Sequence, residues 1–473
     1  MSTKEVNHPL KSWHWRSLSL DNRTASEVFA ALFINESIAT LLESPTVVDL
    51  EQPHLSRYSL CAGSPRTVNG QRQLWTPTTG EILPFLRSLL QQFIVNRPQV
   101  AHLPFTGGWL GWLGYDLAWE IEQLPELNQD PLPFPVAYWY EPECFAVLDH
   151  AEQTLWLAAN DSEQLNYLEQ KLSLNTSDQV KQSFQGEQPF APTASPITFL
   201  TNQEQYQNAV KQAKKHIQAG DIFQTNLSLR FKTNTTADSW SIYQQLQTIN
   251  PSPFASYWRS PWGDVISCSP ERLVQLEGNQ AQTRPIAGTR RRGENEESDR
   301  ALAAELLANT KERAEHIMLV DLERNDLGRV CQWGSVKVDE LLVIERYSHV
   351  MHLVSNVKGI LQPDCDAVDL IRGVFPGGTI TGCPKVRCME IIEELEPFRR
   401  SLFYGSCGYL DQRGNLDLNI LIRTLLYVKA ADSDLAQVYG QVGAGIVADS
   451  DPEREWYESL NKAEAQIAAL QSK

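Results

Sequence analysis

The order of apolar runs predicts an α+β fold built on large antiparallel sheets. Alternating and β-branched runs come in clusters: Ala137-Tyr-Trp-Tyr, Phe145-Ala-Val-Leu and Thr154-Leu-Trp form one, residues 264–269 and 273–276 another. Helical patterns stand between the clusters instead of alternating with single strands, which argues against a doubly wound parallel sheet. The 473 residues, 42% of them apolar and 21% charged, suffice for a large core and for two or three ordinary domains by length.

Taken in order, residues 26–42 read as a helix feeding an apolar segment. Leu41-Leu-Glu-Ser44 and Ser56-Arg-Tyr-Ser-Leu60 read as sheet edges with polar side chains at their ends. Phe105-Thr-Gly-Gly-Trp-Leu-Gly-Trp-Leu-Gly-Tyr-Asp116 alternates glycine with large apolar residues, as where backbones approach closely. Residues 175–195 are rich in Ser, Gln, Thr and Pro and read as a linker. The expected organisation is a β-rich N-terminal part, 1–175, a linker, 176–196, and a C-terminal part, 197–473, holding nearly all the motifs. That second part opens with a helix at 202–218 closed by Ala219-Gly220, then a half-buried strand at 221–231. A long helix is predicted over 298–319, strands to 358, and a helix from near Pro384. Further strands lead to Gly443-Ala-Gly445, and a terminal helix runs from Pro452 to about residue 470.

The formal net charge of −17 leaves no broad basic surface for nucleic acid. An anionic ligand would need local cations or a metal to override that field. No apolar run is long enough to span a bilayer. Met1-Ser-Thr-Lys-Glu-Val-Asn-His lacks an h-region and a cleavage pattern, so a cytoplasmic protein is expected. The eight cysteines are scattered without a CxxC pair, which speaks against zinc and disulfide frameworks.

Several features share a chemistry. Phe375-Pro-Gly-Gly-Thr-Ile-Thr-Gly-Cys-Pro-Lys is a Gly/Thr loop feeding a helix, a seat for a carboxylate or phosphate, with Thr379 and Thr381 supplying hydroxyls. Glu312 and Glu315 share one helix face; Glu455, Glu458 and Lys462 share another. Either pair alone reads as a solvated face, but carboxylates from two helices are also what Mg²⁺ takes when it bridges to an anion. Arg423 stands as a charge inside an apolar strand, to be salt-bridged or used as a carboxylate clamp. Tyr409 offers a phenolic donor, and Gly443-Ala-Gly445 open amides. His349 and His352 would face opposite sides of a strand, so one is the acid/base candidate.

Six ordered stretches, 284–293, 311–329, 347–355, 375–389, 405–424 and 443–462, together resemble the chorismate-utilising enzymes. Within these the similarity is to the large synthase subunits of aminodeoxychorismate synthase and anthranilate synthase, and it is densest from about 203 to 468. The resemblance implies their fold, antiparallel sheets in a sandwich with helices packed outside. It implies Mg²⁺ held by Glu315 and Glu458, with Glu455 beside them. It implies His352, Thr379 and Glu312 as catalytic side chains. Tyr409, Arg423, Gly443, Ala444, Gly445, Lys462, Gly288 and Thr289 are implied to hold the chorismate. Ammonia would come from a glutamine amidotransferase subunit, since no G-x-C-x-G nucleophile turn with a downstream catalytic His occurs here.

Water-using relatives carry a lysine base where this chain has Gln224, which favours ammonia as nucleophile. Many aminodeoxychorismate synthases carry a lysine where this chain has Ala287, the residue usual in anthranilate synthases. Gln224-Thr-Asn-Leu-Ser228, Ser269-Pro-Glu-Arg272 and Gly405-Ser-Cys-Gly-Tyr409 lean towards aminodeoxychorismate synthase, the expected activity. Anthranilate synthase is the alternative, and a non-catalytic homologue sensing chorismate or tryptophan stands as a second one. Leu41-Leu-Glu-Ser44 with Asn250-Pro-Ser-Pro-Phe254 resembles the family's tryptophan pocket, with Ser44, Asn250, Pro251, Ser252 and Phe254 as its candidate residues.

Overall fold

The computed structural model describes residues 13–44, 57–91, 100–174, 194–346, 350–429 and 435–471. Two large sheets dominate, and every pairing between their strands is antiparallel. The first has twelve strands. Its N-terminal half runs His14–Ser19, Thr154–Ala159, Cys144–Asp149, Tyr58–Ala62 and Ala39–Glu43. It continues through Phe254–Ser260, Gly263–Ser269, Thr424–Lys429, Ala436–Ile446, Gln224–Thr235 and Thr198–Phe199, with Gly382–Cys383 also paired to Gln224–Thr235. The second sheet has ten strands, from Ile286–Arg291 and Val350–Ile360 at one end to Ala137–Tyr140 and Leu74–Trp75 at the other.

Both parts of the chain supply strands to both sheets. Ala39–Glu43 pairs with Phe254–Ser260, and Gly108–Leu113 pairs with Ser406–Asp411. The segments expected as sheet edges at 41–44 and 56–60 therefore contribute interior strands: Phe254–Ser260, about two hundred residues away, covers Ala39–Glu43, and Cys144–Asp149, about ninety residues away, covers Tyr58–Ala62.

Strand periodicity explains the layering. Leu60, Trp258, Val265 and Leu426 point to the core shared with the second sheet, beside Trp109, Trp112 and Leu418. Their neighbours Cys61, Tyr257, Ile266 and Leu425 point the other way, into a core closed by helices. Those helices include Ala25–Leu32, Gln203–Ala219, Ser239–Ile249 and Pro452–Gln471. The result is a sandwich with helices outside.

Local signals set the helix ends. Asn202 caps Gln203–Ala219 through a capping box with Gln205, and Gly220 closes it at φ +81°. Asp451 Oδ1 accepts from the amides of Glu453 and Arg454 at the start of the terminal helix. The long helix expected over 298–319 is two helices, Glu296–Ala308 and Thr310–Gly328. Asn309 breaks it: its side chain accepts from the amides of Lys311 and Glu312 and restarts the helix. The Gly/Thr loop does not run straight into a helix N-terminus either. The short turn Gly378–Ile380 and the strand Gly382–Cys383 come first, and the helix is Lys385–Leu395.

Candidate active site

The Ala436–Ile446 strand forms the floor. Its neighbour Thr424–Lys429 pairs only as far as Gly440, so the following residues keep one edge without a strand. On the other side Gly445, Ala444 and Gly443 lie opposite Asn226, Leu227 and Ser228. The two glycines are needed for space. A Cβ on Gly443 would lie 2.8 Å from Asn226 Oδ1 and 2.8 Å from the Tyr404 hydroxyl; one on Gly445 would lie 2.7 Å from Gln224 Nε2 and 3.5 Å from Glu315 Oε1. Ala444 faces away, fully buried in the helix-covered core, so its side chain is structural.

Two helices bring acids to this floor. Gln224 Nε2 donates to Glu315 Oε1 at 3.3 Å. Lys462 Nζ lies 2.8 Å from Glu458 and 3.2 Å from the Gly443 carbonyl. Burial pushes the Glu315 carboxyl up, Lys462 and Lys311 pull it down, and Glu458 pushes it up again. Burial also raises Glu455, and the same Glu458, Lys462 and Lys311 act on it. Glu315, Glu455 and Glu458 thus form one electrostatic cluster, with Glu458 the most exposed of the three. Among the described residues no group of three or more His, Cys, Asp or Glu side chains closes into a metal cage. Mg²⁺ needs no such cage: it takes one or two carboxylates and fills its shell with substrate oxygens and water. Repelling, partly buried carboxylates with a free Glu455 Oε2 fit such an ion.

Opposite stands a cationic wall. Arg423 is not inside a strand but in the bend just before Thr424–Lys429, at φ +52°. Its guanidinium donates to the Lys462 carbonyl at 2.7 Å. Among the described residues no carboxylate pairs with it, and burial pushes its pKa down. Tyr404, at φ +64°, is its neighbour. Two non-glycine residues held in left-handed conformations beside one pocket are strain kept for a reason. Gly288, φ +69°, sits in a bulge of Ile286–Arg291; a Cβ there would meet Glu312 Oε2 at 2.7 Å. The bulge aims Thr289 Oγ1 at His352 Nδ1, 2.9 Å away. Burial, aided by Arg423, pushes His352 down to about 4. Burial thus favours the neutral imidazole, which shares a hydrogen bond with Thr289. Glu312 is engaged by Arg290 at 2.9 Å, so it orients the bulge. His349 lies outside the described residues.

Tyr409 is not in this site. It lines a second cavity of about 120 Å³ together with Ser44, Phe254, Glu43, Tyr58 and Arg272. Tyr404, just before the Ser406–Asp411 strand, is the tyrosine whose hydroxyl stands at the Gly443 floor. Of the residues expected in a tryptophan pocket, Ser44 and Phe254 line the second cavity. Asn250, Pro251 and Ser252 instead form the turn that presents Pro253 and Phe254, with Asn250 Nδ2 donating to Ser252 Oγ and the Cys268 carbonyl.

Glu271 lies within the Ser269-Pro-Glu-Arg272 motif, and the sequence assigns it no role. It is buried beside Thr379, and burial pushes its carboxyl up to about 7, against a smaller downward pull from the Thr379 hydroxyl. Among the described residues, buried polar atoms without a hydrogen-bond partner include Gln224 Oε1, Asn226 Oδ1, Glu312 Oε2, Tyr404 Oη and Glu455 Oε2, all on residues of this site. Orphaned buried groups are rare in folded proteins, and their concentration here calls for a polar ligand.

The family model described as chorismate binding enzyme matches residues 47–468. The chain belongs to that family. As a chorismate-utilising enzyme it is 63% identical over 469 residues to the anthranilate synthase component I-like protein of Synechocystis sp., covering 98% of this chain and 93% of that one. It is 45% identical over 442 residues to aminodeoxychorismate synthase component 1 of Bacillus subtilis, covering 89% and 91%. It is 42% identical over 428 residues to anthranilate synthase component 1 of Synechocystis sp., covering 85% and 83%. No helix among the described residues is long and apolar enough to cross a membrane.

Proposed function

We propose that this chorismate-utilising enzyme aminates its substrate with ammonia from a glutamine amidotransferase subunit, in a Mg²⁺-dependent reaction giving 4-amino-4-deoxychorismate. The observation that carries the nucleophile is Gln224. This buried amide stands against Glu315 and the Gly445 floor, where activating a water would need a base. An amide cannot take a proton; ammonia needs none removed before it attacks. The component 1 names of two relatives support a separate ammonia-supplying partner.

Glu315 and Glu458, with Glu455, would hold Mg²⁺, which neutralises a substrate carboxylate when bound. Arg423 and Tyr404 clamp the other carboxylate. As nitrogen bonds to the ring, the C4 hydroxyl leaves and takes a proton to become water. Glu271, beside Thr379, would supply that proton, its carboxyl being pushed up to about 7 by burial while burial pushes His352 down. Ala287 means that no lysine at that position forms a covalent intermediate.

The product rests on the relatives. The organism with the 63% relative also has a protein named anthranilate synthase component 1, and this chain is only 42% identical to the latter. The alternative, anthranilate, draws on Ala287 and on the name of the 63% relative. Purified protein with chorismate, ammonium and Mg²⁺ decides. Fluorescent anthranilate selects the alternative. Release of 4-aminobenzoate only after a lyase is added selects the aminodeoxychorismate reading. Binding of chorismate without turnover refutes both and leaves a sensing homologue.

A further inference from the structure

Behind Tyr404 stands a buried guanidinium. Arg400 is 1% exposed. Its Nε donates to Glu396 Oε2 at 3.0 Å and its Nη2 to Glu396 Oε1 at 2.7 Å. Nη2 also donates to the Asn226 carbonyl at 2.7 Å, and Nη1 to the Ile380 carbonyl at 2.8 Å. One side chain thus joins three segments: the end of the helix Lys385–Leu395, the strand that carries Gln224 and Asn226, and the Gly378–Ile380 turn. Its Cζ lies 4.6 Å from the centre of the Tyr404 ring and 4.8 Å from that of Tyr115.

The backbone between Arg400 and Tyr404 is folded tightly. Ser401 has φ +55° and Tyr404 φ +64°, and the Phe403 amide donates to the Arg400 carbonyl at 3.0 Å. Two non-glycine residues in left-handed conformations within four positions persist only where the surroundings fix them. The Tyr404 amide donates to the Leu421 carbonyl at 2.9 Å, two residues before Arg423. That bond pins the backbone of Tyr404, and the Arg400 contact holds its ring. The hydroxyl then stands at the Gly443 floor without a hydrogen-bond partner among the described residues.

We propose that Arg400 is a positioning residue for chorismate, holding the Tyr404 ring so that its hydroxyl is in place for a substrate carboxylate before the substrate arrives. This rests on reading Tyr404 as part of the carboxylate clamp. A hydroxyl already fixed loses less freedom when it binds. The cation against the ring also strengthens the hydroxyl as a donor, because it favours negative charge moving onto the phenol oxygen. Burial pushes the Tyr404 hydroxyl up, and Arg400 is the strongest pull against it. Arg400 keeps its own charge: burial opposes it, but Glu396 and Tyr115 outweigh burial. Arginine suits the task because its planar fork meets several acceptors at once and still offers a flat face to a ring.

The test is a double-mutant cycle on chorismate affinity, read by calorimetric titration with Mg²⁺. Tyr404→Phe keeps the ring against the cation and removes only the hydroxyl. Arg400→Lys keeps a charge but not the fork. It is expected to weaken binding roughly 10-fold in the wild-type background and at most about 2-fold once residue 404 is phenylalanine. The same factor in both backgrounds is what a structural arginine gives, and overturns the proposal. If Arg400→Lys does not fold, Glu396→Gln replaces it in the cycle, since it weakens the hold on the guanidinium while keeping the shape. A loss of roughly 3-fold that depends on the Tyr404 hydroxyl is then expected, and an independent loss overturns the proposal. The positioning is also read without substrate, from fluorine NMR of ligand-free protein carrying 3-fluorotyrosine at position 404. One narrow resonance should broaden in whichever of the two variants folds, as the ring samples more than one position; an unbroadened resonance overturns the proposal. If the wild type binds no chorismate, the functional reading fails by itself and the fluorine resonance still decides whether Arg400 holds Tyr404.

Discussion

Replacing Arg423 by Met should separate stability from binding. An arginine buried in a structural ion pair costs about 3–5 kcal/mol when its partner is stranded by mutation. Among the described residues Arg423 has no carboxylate partner to strand. Its removal loses one charge-assisted hydrogen bond to the Lys462 carbonyl, worth about 1.5–3 kcal/mol. It also abolishes the desolvation of a buried guanidinium, whose pKa burial has already pushed down. These oppose each other, and the ligand-free variant should match the wild type within about 1.5 kcal/mol in urea unfolding. Chorismate binding should suffer differently. Truncating one side of a buried, bidentate charge pair costs about 2–5 kcal/mol, or roughly 30- to 4,000-fold in affinity. Arg423→Lys should recover little, because an ammonium cannot reproduce the planar fork. Calorimetric titration with chorismate and Mg²⁺, beside urea unfolding without ligand, gives both numbers. A destabilisation of about 3–5 kcal/mol with unchanged affinity would show Arg423 to be a structural ion and refute the reasoning.

The other predictions concern the same two cavities and one remote acid. Tyr404→Phe should lower kcat/KM about 10- to 100-fold with little effect on stability, because its hydroxyl has no protein partner to lose, whereas Tyr409→Phe should leave turnover intact and alter tryptophan binding at the second cavity; equal turnover of the two variants would contradict the assignment. Glu315→Gln and Glu458→Gln should each raise the Mg²⁺ concentration for half-maximal turnover at least about tenfold, and an unchanged Mg²⁺ titration in either removes that residue from the ion's shell. Asp116, buried, has its carboxyl pushed up from 3.8 to about 7, chiefly by burial and then by Asp130. A raised carboxyl favours the folded state below its unfolded value and loses that contribution as pH climbs to about 7. Asp116→Asn should therefore be more stable than the wild type at about pH 8 and gain less at about pH 5, read from denaturant midpoints; the opposite order would mean that Arg399 and Arg230 outweigh burial.

Features written in local pattern were legible in the sequence, and features written in long-range geometry were not. The clustering of strands, the helix closed by Ala219-Gly220, and the Asp451-Pro452 helix start are local signals, and each is present in the fold. The break at Asn309 is not legible, because asparagine within a helical pattern is only mildly unfavourable until its side chain finds the Lys311 and Glu312 amides. The site divides along the same line. Spacing on a helix placed Glu455, Glu458 and Lys462 together, but Tyr404 and Tyr409 differ only in where the Ser406–Asp411 strand begins. That start is fixed by pairing with Gly108–Leu113, about three hundred residues away in the chain. Glu271 lies within the Ser269-Pro-Glu-Arg272 motif, but nothing in that motif says that its side chain is buried. Burial pushes its carboxyl up, and that burial comes from the packing of the assembled fold. Motif spacing thus brings together the acids and the cation of the candidate site, while the raised carboxyls depend on burial that only the assembled sheets and helices create.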